Sequence, residues 1–395
     1  MTNTKILDFV KKYTMIIVLV LVLTMFAIMT NGSILLPANI SNIISQNAYV
    51  FILATGMLLC ILTGGNIDLS IGSVVCFVGA VGAKLMVDKG VNMYLAILIM
   101  LLVGTAIGAF QAFWIAYVRI PPFIVTLAGM LAFRGLSNVV LDGLTVSITG
   151  QVQFVNLFGG GANCYIPDYL GFSSFNGLCL IVGVVAAALF VFLQIKSRLT
   201  KKSKNYEVES PIAFWIKTIF IAAVVIAFAF QLAQHKGIPT VLIWVVLVIV
   251  VYGYITSNTT IGRAFYAVGG NDKATKLSGI NTNKVYFLAY TNMGFLSALA
   301  AMVTIARLTS AQPTYGQNYE MDAIGSCFIG GASAYGGIGT VPGVIVGAAL
   351  MGVINMGMSL MGVDANMQKV VKGGVLLAAV IFDVVSKRGK LFAKN

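Results

Sequence analysis

An acid and an amide stand between two apolar runs in Thr63-Gly64-Gly65-Asn66-Ile67-Asp68-Leu69-Ser70-Ile71-Gly72-Ser73. A carboxylate at membrane depth is costly, so it faces a cavity or a partner. Glycines let a helix break or a second backbone come close. The stretch reads as a broken helix beside a translocation path. It reads equally as a turn in headgroup water, where Asp68 or Ser70 caps the next helix. The two roles are compatible.

Three further stretches carry chemistry or shape. In Ile120-Pro121-Pro122-Phe123-Ile124-Val125-Thr126-Leu127, two prolines fix φ and remove donors, so a helix starts there but does not run through. Arg134 lies in the apolar segment behind them and needs a carboxylate, a carbonyl or water, or else snorkels to the outer surface. Residues 262–280 read GRAFYAVGGNDKATKLSGI, where Asn271 or Asp272 starts and Gly279 ends a short surface helix over 272–278. A helix that short is marginal alone, so it must dock. Residues 329–343 read IGGASAYGGIGTVPG; with no G-x-x-x-x-G-K-[ST] anywhere in the chain, these glycines serve close packing and a tight turn, not nucleotide binding. Gly104/Gly108 and Gly343/Gly347 have small-xxx-small spacing.

Little else is reactive. His235 is the only histidine, so a His-rich metal site or a Ser-His-Asp triad has no material, and it reads as a loop residue. No catalytic residue, metal ligand or cofactor is expected. The five cysteines have no motif spacing. A Cys164–Cys179 bridge is left open, conditional on an extracytoplasmic loop.

The elements that position these residues follow from composition. The 395 residues are 59% hydrophobic and 9% charged, with a mean hydropathy of +0.95. So few charges cannot cover a water-facing surface, which excludes a soluble enzyme, and disorder is excluded by the same figures. An integral membrane protein remains. Apolar stretches at 13–30, 45–63, 69–87, 94–117, 123–141, 177–194, 213–231, 239–256, 284–305, 322–338, 340–361 and 366–384 are candidate spans. Of these, 123–141 and 322–338 read as either spans or half-spans, so ten to twelve membrane segments are expected. The first stretch reads as a retained span and not a cleaved signal.

The net charge of +13 belongs to loops held inside by the positive-inside rule, not to a nucleic-acid surface. Basic residues cluster at Lys5/Lys11/Lys12, in the loop near 195–212, at Arg263/Lys273/Lys276/Lys284 and at Lys387/Arg388/Lys390/Lys394. Six, two and four candidate spans separate consecutive clusters, all even, so the four fall on one side and both termini are cytoplasmic. The expected fold is an all-α polytopic bundle in a single transmembrane domain, 1–395, with a flexible cytoplasmic linker at 195–212 and a polar, aromatic extracytoplasmic loop at 142–176.

Taken together, TGGNIDLSIGS at 63–73, IPPFIVTLAGMLAFRG at 120–135, and the 262–280 and 329–343 motifs resemble the inner-membrane permease of bacterial ABC monosaccharide importers. The likeness covers residues 45–385, and branched-chain amino acid and autoinducer permeases share much of the motif set. Asn66, the chain length and the insertions at 142–176 and 195–212 look more like the longer xylose and multiple-sugar permeases than the ribose type. The resemblance implies a second permease subunit in a homodimer, a cytoplasmic ATPase, an extracytoplasmic sugar-binding protein and a lipid surround. It makes 262–280 a coupling loop, with Gly269, Asn271, Lys273, Thr275 and Gly279 as its contact or shape residues, and it makes Asn66, Asp68, Ser70, Phe123 and Thr126 pathway residues. An ion-coupled secondary transporter and an amino-acid permease are the competing readings.

Overall fold

Seven of the helices begin where a side chain takes a free backbone N–H. Asn92, Asn176, Ser210, Thr259, Asn271, Asn281 and Thr340 each accept such a bond at a helix start, and Pro122, Pro211 and Pro342 stand in first turns, where a missing N–H costs nothing. The structure, a computed structural model, describes residues 2–160, 164–171, 175–206, 208 and 210–392.

Its helices are α1 (Thr2–Met29), α2 (Pro37–Leu62), α3 (Ile71–Val87), α4 (Met93–Ala116), α5 (Pro122–Leu141), α6 (Val152–Leu157), α7 (Gly177–Ser203) and α8 (Pro211–Ala233). There follow α9 (Thr240–Asn258), α10 (Thr260–Gly270), α11 (Asp272–Leu277), α12 (Thr282–Leu308), α13 (Tyr319–Ile329), α14 (Val341–Leu360) and α15 (Ala365–Phe392). A two-residue strand β1 (Val146–Ser147) pairs antiparallel with β2 (Ser310–Ala311), Val146 opposite Ala311.

Among the described residues, eight helices (α2, α4, α5, α7, α8, α9, α12 and α14) are long and apolar enough to cross a membrane. Thr14–Met29 and Ile71–Val87 are shorter apolar helices. The chain is an all-α, multi-pass membrane protein. Of the two ambiguous stretches, one is a full helix, α5. The other holds a helix of only 11 residues: α13 stops at Ile329, and Gly331, Gly336, Gly337 and Gly339 then take positive φ values that end any helix. The basic stretch after residue 195 is helical as far as Ser203, because Leu, Gln, Lys and Arg continue α7 as good helix formers.

The chain packs as two compact units where the sequence reads as one domain. The first comprises residues 1–34, 43–162 and 241–395. Its centre is α2 and α12, whose most apolar windows are 83% and 78% buried. On α4, Gly104 and Gly108 lie against Gly294 and Ala298 of α12 with no room for a Cβ, as their spacing implies. Aromatics of the 142–176 loop turn inward: Phe154 and Phe158 are buried, and Phe158 stacks on Trp244, whose Nε1–H donates to the Leu157 carbonyl at 2.9 Å.

The second unit, residues 35–42 and 163–240, is an α7–α8 hairpin. Gly183 lies on Ala229, and Arg198 sits 4.5 Å over the Phe214 ring. Asp168 accepts the Gly177 N–H at 2.9 Å at the start of α7. Cys164 and Cys179 are not bridged to each other. His235 is a loop residue whose imidazole is held below its usual pKa by partial burial and by Lys236.

Three loops of the first unit meet backbone to backbone. The Gly337 N–H donates to the last carbonyl of α2, Leu62, at 3.1 Å, Gly269 of α10 lies on that carbonyl and on Gly337, Gly65 lies on the Ala334 carbonyl, and Gly336 lies on Gly64. The Tyr266 hydroxyl donates to the Gly339 carbonyl at 2.8 Å. The described parts of the first and last helices run toward this glycine joint. Asp383, late in α15, accepts the Ala334 N–H at 3.2 Å. α14 starts at the joint, and Phe26, late in α1, packs on Gly357 near the far end of α14, so α1 begins at the joint end. A Cβ on Gly269 has no space, whereas one on Gly270 meets nothing within 4 Å. Gly269→Ala is therefore expected to lower the thermal midpoint of the purified protein by several degrees and Gly270→Ala to leave it unchanged, as read by a fluorescence melt.

A second feature fixes α13 within the apolar interior. Lys372 Nζ lies 2.9 and 3.1 Å from the two carboxylate oxygens of Asp322, whose side chain is 2% exposed, and the Tyr49 hydroxyl donates to the same carboxylate at 2.7 Å. Removing one partner of a buried pair leaves an uncompensated charge, at a cost of about 3–5 kcal/mol. Lys372→Met should sharply shorten the half-life of the solubilised protein, and adding Asp322→Asn should restore most of it.

Candidate functional site

The 262–280 loop folds as two short helices around one sharp bend. Thr259 caps α10 and Asn271 caps α11, its Oδ1 accepting the Ala274 N–H at 2.9 Å. Thr275 is buried, and its hydroxyl donates back to the Asn271 carbonyl at 2.7 Å. Gly279, at φ +88°, reverses the chain into α12. α11 spans 272–277, so the helix expected from Asn271 and Gly279 is present, docked through α10 on the glycine joint. Its Leu277 is 90% exposed, an unusual state for a leucine.

A clamp that the motifs did not disclose holds this loop. Arg119, in the turn before Pro121, donates to Asn283 Oδ1 and, at 3.3 Å, to Thr282 Oγ1. Its guanidinium lies 3.8 Å from Asp272 and 5.2 Å over the Tyr286 ring. The α4–α5 turn thus grips α11 and the first turn of α12 together. The one signal in the sequence was a basic residue beside two prolines.

The expected pathway residues divide. Asp68, 4% exposed, accepts the Ser70 N–H at 2.8 Å and the Ser70 hydroxyl at 2.6 Å. Ser70 Oγ also lies 3.1 Å from Gln111 Oε1 on α4, and Gly129 of α5 leaves room for that amide. Asp68 and Ser70 therefore form one polar step at the start of α3, and the Asp68 carboxylate closes the turn into it. Asn66 is turned back on Thr63, its Nδ2 donating to the Thr63 carbonyl at 3.1 Å. Thr126 is buried and bonds the Pro122 carbonyl at 2.9 Å. Phe123 is 55% exposed. The geometry joins Asp68 with Ser70 and leaves the other three apart from them.

Arg134 resolves to carbonyls. It reaches from α5 to the Pro313 oxygen at 3.1 Å and the Tyr315 oxygen at 2.6 Å, pinning the turn that abuts Gly72 at the start of α3. Toward the other end of α12, Tyr49 and Tyr319 stack with ring centroids 3.6 Å apart, Tyr49 being the residue bonded to Asp322. None of these last residues stood out in the sequence, although Asp322 and Lys372 are charges within apolar stretches. Among the described residues, no cluster of three metal-ligating side chains occurs.

Comparison with known proteins places this geometry in a family. Residues 39–199 and 172–380 match the model described as branched-chain amino acid transport system, permease component. The chain is 34% identical over 376 residues to the xylose transport system permease protein XylH of Escherichia coli (strain K12), covering 95% of this chain and 92% of that protein. It is 35% identical to XylH of Haemophilus influenzae, covering 95% and 96%, and 34% identical to the ribose import permease protein RbsC of E. coli (strain K12), covering 87% and 85%. No solved structure matches the chain. With a family model matching well over half of its residues and such relatives along nearly its whole length, the chain belongs to the family of transport-system permease components.

Proposed function

We propose that this chain is the membrane subunit of an ABC importer that passes a pentose or hexose monosaccharide across the bacterial inner membrane. The relatives along nearly its whole length are named for xylose and ribose, which favours a sugar over the amino acids of the family description. The subunit is a transport component and not an enzyme; permeases of ABC importers work with an ATPase and a solute-binding protein. Our finer reading is a homodimer of this chain in a lipid surround, with a cytoplasmic ATPase on one face and a sugar-binding protein on the other.

The observation that carries the mechanism is the capped helix α11, with its solvated Leu277, gripped by Arg119 and seated on the glycine joint. It has the form of a knob for a partner's cleft, with Asn271, Lys273, Thr275 and Gly279 supplying contact or shape, and Gly269 its seat. A push on α11 passes through Gly269 and Gly337 to the end of α2, and so to the Asp68–Ser70 step. Asn66, Asp68, Ser70, Phe123 and Thr126 are our pathway residues, weakly binding so that cargo is not trapped. The described parts of the first and last helices run toward the α11 end, which supports cytoplasmic termini and an outward-facing 142–176 loop as the dock for the binding protein. Residues 161–163 and 172–174 of that loop lie outside the described residues.

The test is the reconstituted complex supplied with D-xylose, D-ribose or D-galactose. Gly279 needs φ +88°, which proline cannot adopt, so Gly279→Pro is expected to abolish uptake and the stimulation of ATP hydrolysis by loaded binding protein. Asn271→Ala, which loses a cap of about 1 kcal/mol, should lower both severalfold, and Asn271→Ser should retain them. Wild-type uptake by Gly279→Pro would remove the coupling role from α11.

A further inference from the structure

At the end of the first unit away from α11, a half-open cleft of about 340 Å³ lies between α2, α12 and α13. Its walls include Ser45, Gln46 and Tyr49 from α2, Thr304 and Arg307 from α12, and Tyr319 from α13. The volume is at the small end of ligand sites. The Tyr49–Tyr319 stack gives it a rigid aromatic wall, fixed from behind by the bond from Tyr49 to Asp322. Gln46 is exposed. Thr304 is 5% exposed, and its hydroxyl has the Tyr319 hydroxyl as its polar neighbour. Thr304 thus adds a buried hydroxyl to the wall beside the aromatic stack.

We propose that this cleft is a monosaccharide subsite of the permease, the place where a sugar first rests on this chain. The inference rests on the sugar-importer reading above. A sugar ring presents paired hydroxyls at its edge and C–H groups on its face. Gln46 and Arg307 offer planar donors, and the amide an acceptor, for neighbouring hydroxyls. Thr304 supplies a buried hydroxyl, and the tyrosines supply an apolar wall with polar tips. α12 begins at Arg119 and α11, so its last turn, which carries Arg307, stands at the opposite end of the unit. A subsite there receives cargo on the side away from the ATPase knob.

The experiment uses the complete reconstituted complex with D-xylose, D-ribose and D-galactose, and reads sugar moved per ATP hydrolysed. Gln46→Ala and Thr304→Val should lower that ratio about tenfold while loaded binding protein still stimulates hydrolysis, and Thr304→Ser should keep it near wild type. A packing role would invert the last two, since valine preserves shape and serine does not. A second measurement does not depend on those variants folding. In a Cys164→Ser background, where the other four native thiols are buried, a charged thiosulfonate reagent should label Gln46→Cys, and a transported sugar at millimolar concentration should slow labelling at least threefold. Wild-type ratios in Gln46→Ala and Thr304→Val with no protection would overturn the subsite and leave the importer reading standing. Protection by inorganic phosphate and not by the sugars would also overturn it. Failure of the wild-type complex to take up any of the three sugars would overturn both.

Discussion

Backbone resting on backbone is the constraint on which the rest of this structure depends. Where Leu62, Gly65, Gly269, Ala334 and Gly337 meet, no side chain lies between the chains. Such a junction is short and stiff, because nothing in it has a rotamer to change. It ties the end of a central helix, the glycine turn after α13 and the α10–α11 elbow into one body. The three meet there without a layer of side chains between them.

Three charged groups within the bundle each have an identified counterpart among the described residues. Asp322 has Lys372 and Tyr49, Asp68 has the N–H and hydroxyl of Ser70, and Arg134 has two carbonyls. In an apolar interior the alternative is an expensive orphan. These pairs also stitch together segments distant in sequence: Arg134 holds the 313–315 turn, and Lys372 holds α13. The broken geometry around the start of α3 is thus supported from three sides, by Arg134, by Gln111 and by the glycine contact of Gly72 with Gly316.

Much of this was legible from composition and local signals. Low charge gave the class, and Asn271 with Gly279 bounded α11 because capping is local chemistry. Small residues at 104, 108, 343 and 347 marked close helix contacts, since only a missing Cβ permits them. What stayed hidden was tertiary. Nothing near Tyr49 in the sequence announces Asp322, which is 273 residues away, and Arg119 looks like any loop cation until α12 folds beside it. Hydropathy alone left 322–338 open between a span and a half-span, because glycines are apolar enough to count toward a span but take positive φ and end the helix. At 195–203, charge suggested a linker, although lysine and arginine are good helix formers.

The length of α7 has its own consequence. Twenty-seven residues at 1.5 Å each make a rod of about 40 Å, roughly 10 Å more than a bilayer's hydrocarbon thickness. The surplus is the end bearing Lys201 and Lys202, both exposed. Ammonium groups that reach headgroup level are attracted by anionic phospholipids with about 1 kcal/mol apiece. The hairpin is thereby anchored against vertical sliding, and its tilt becomes sensitive to the thickness and surface potential of the host bilayer.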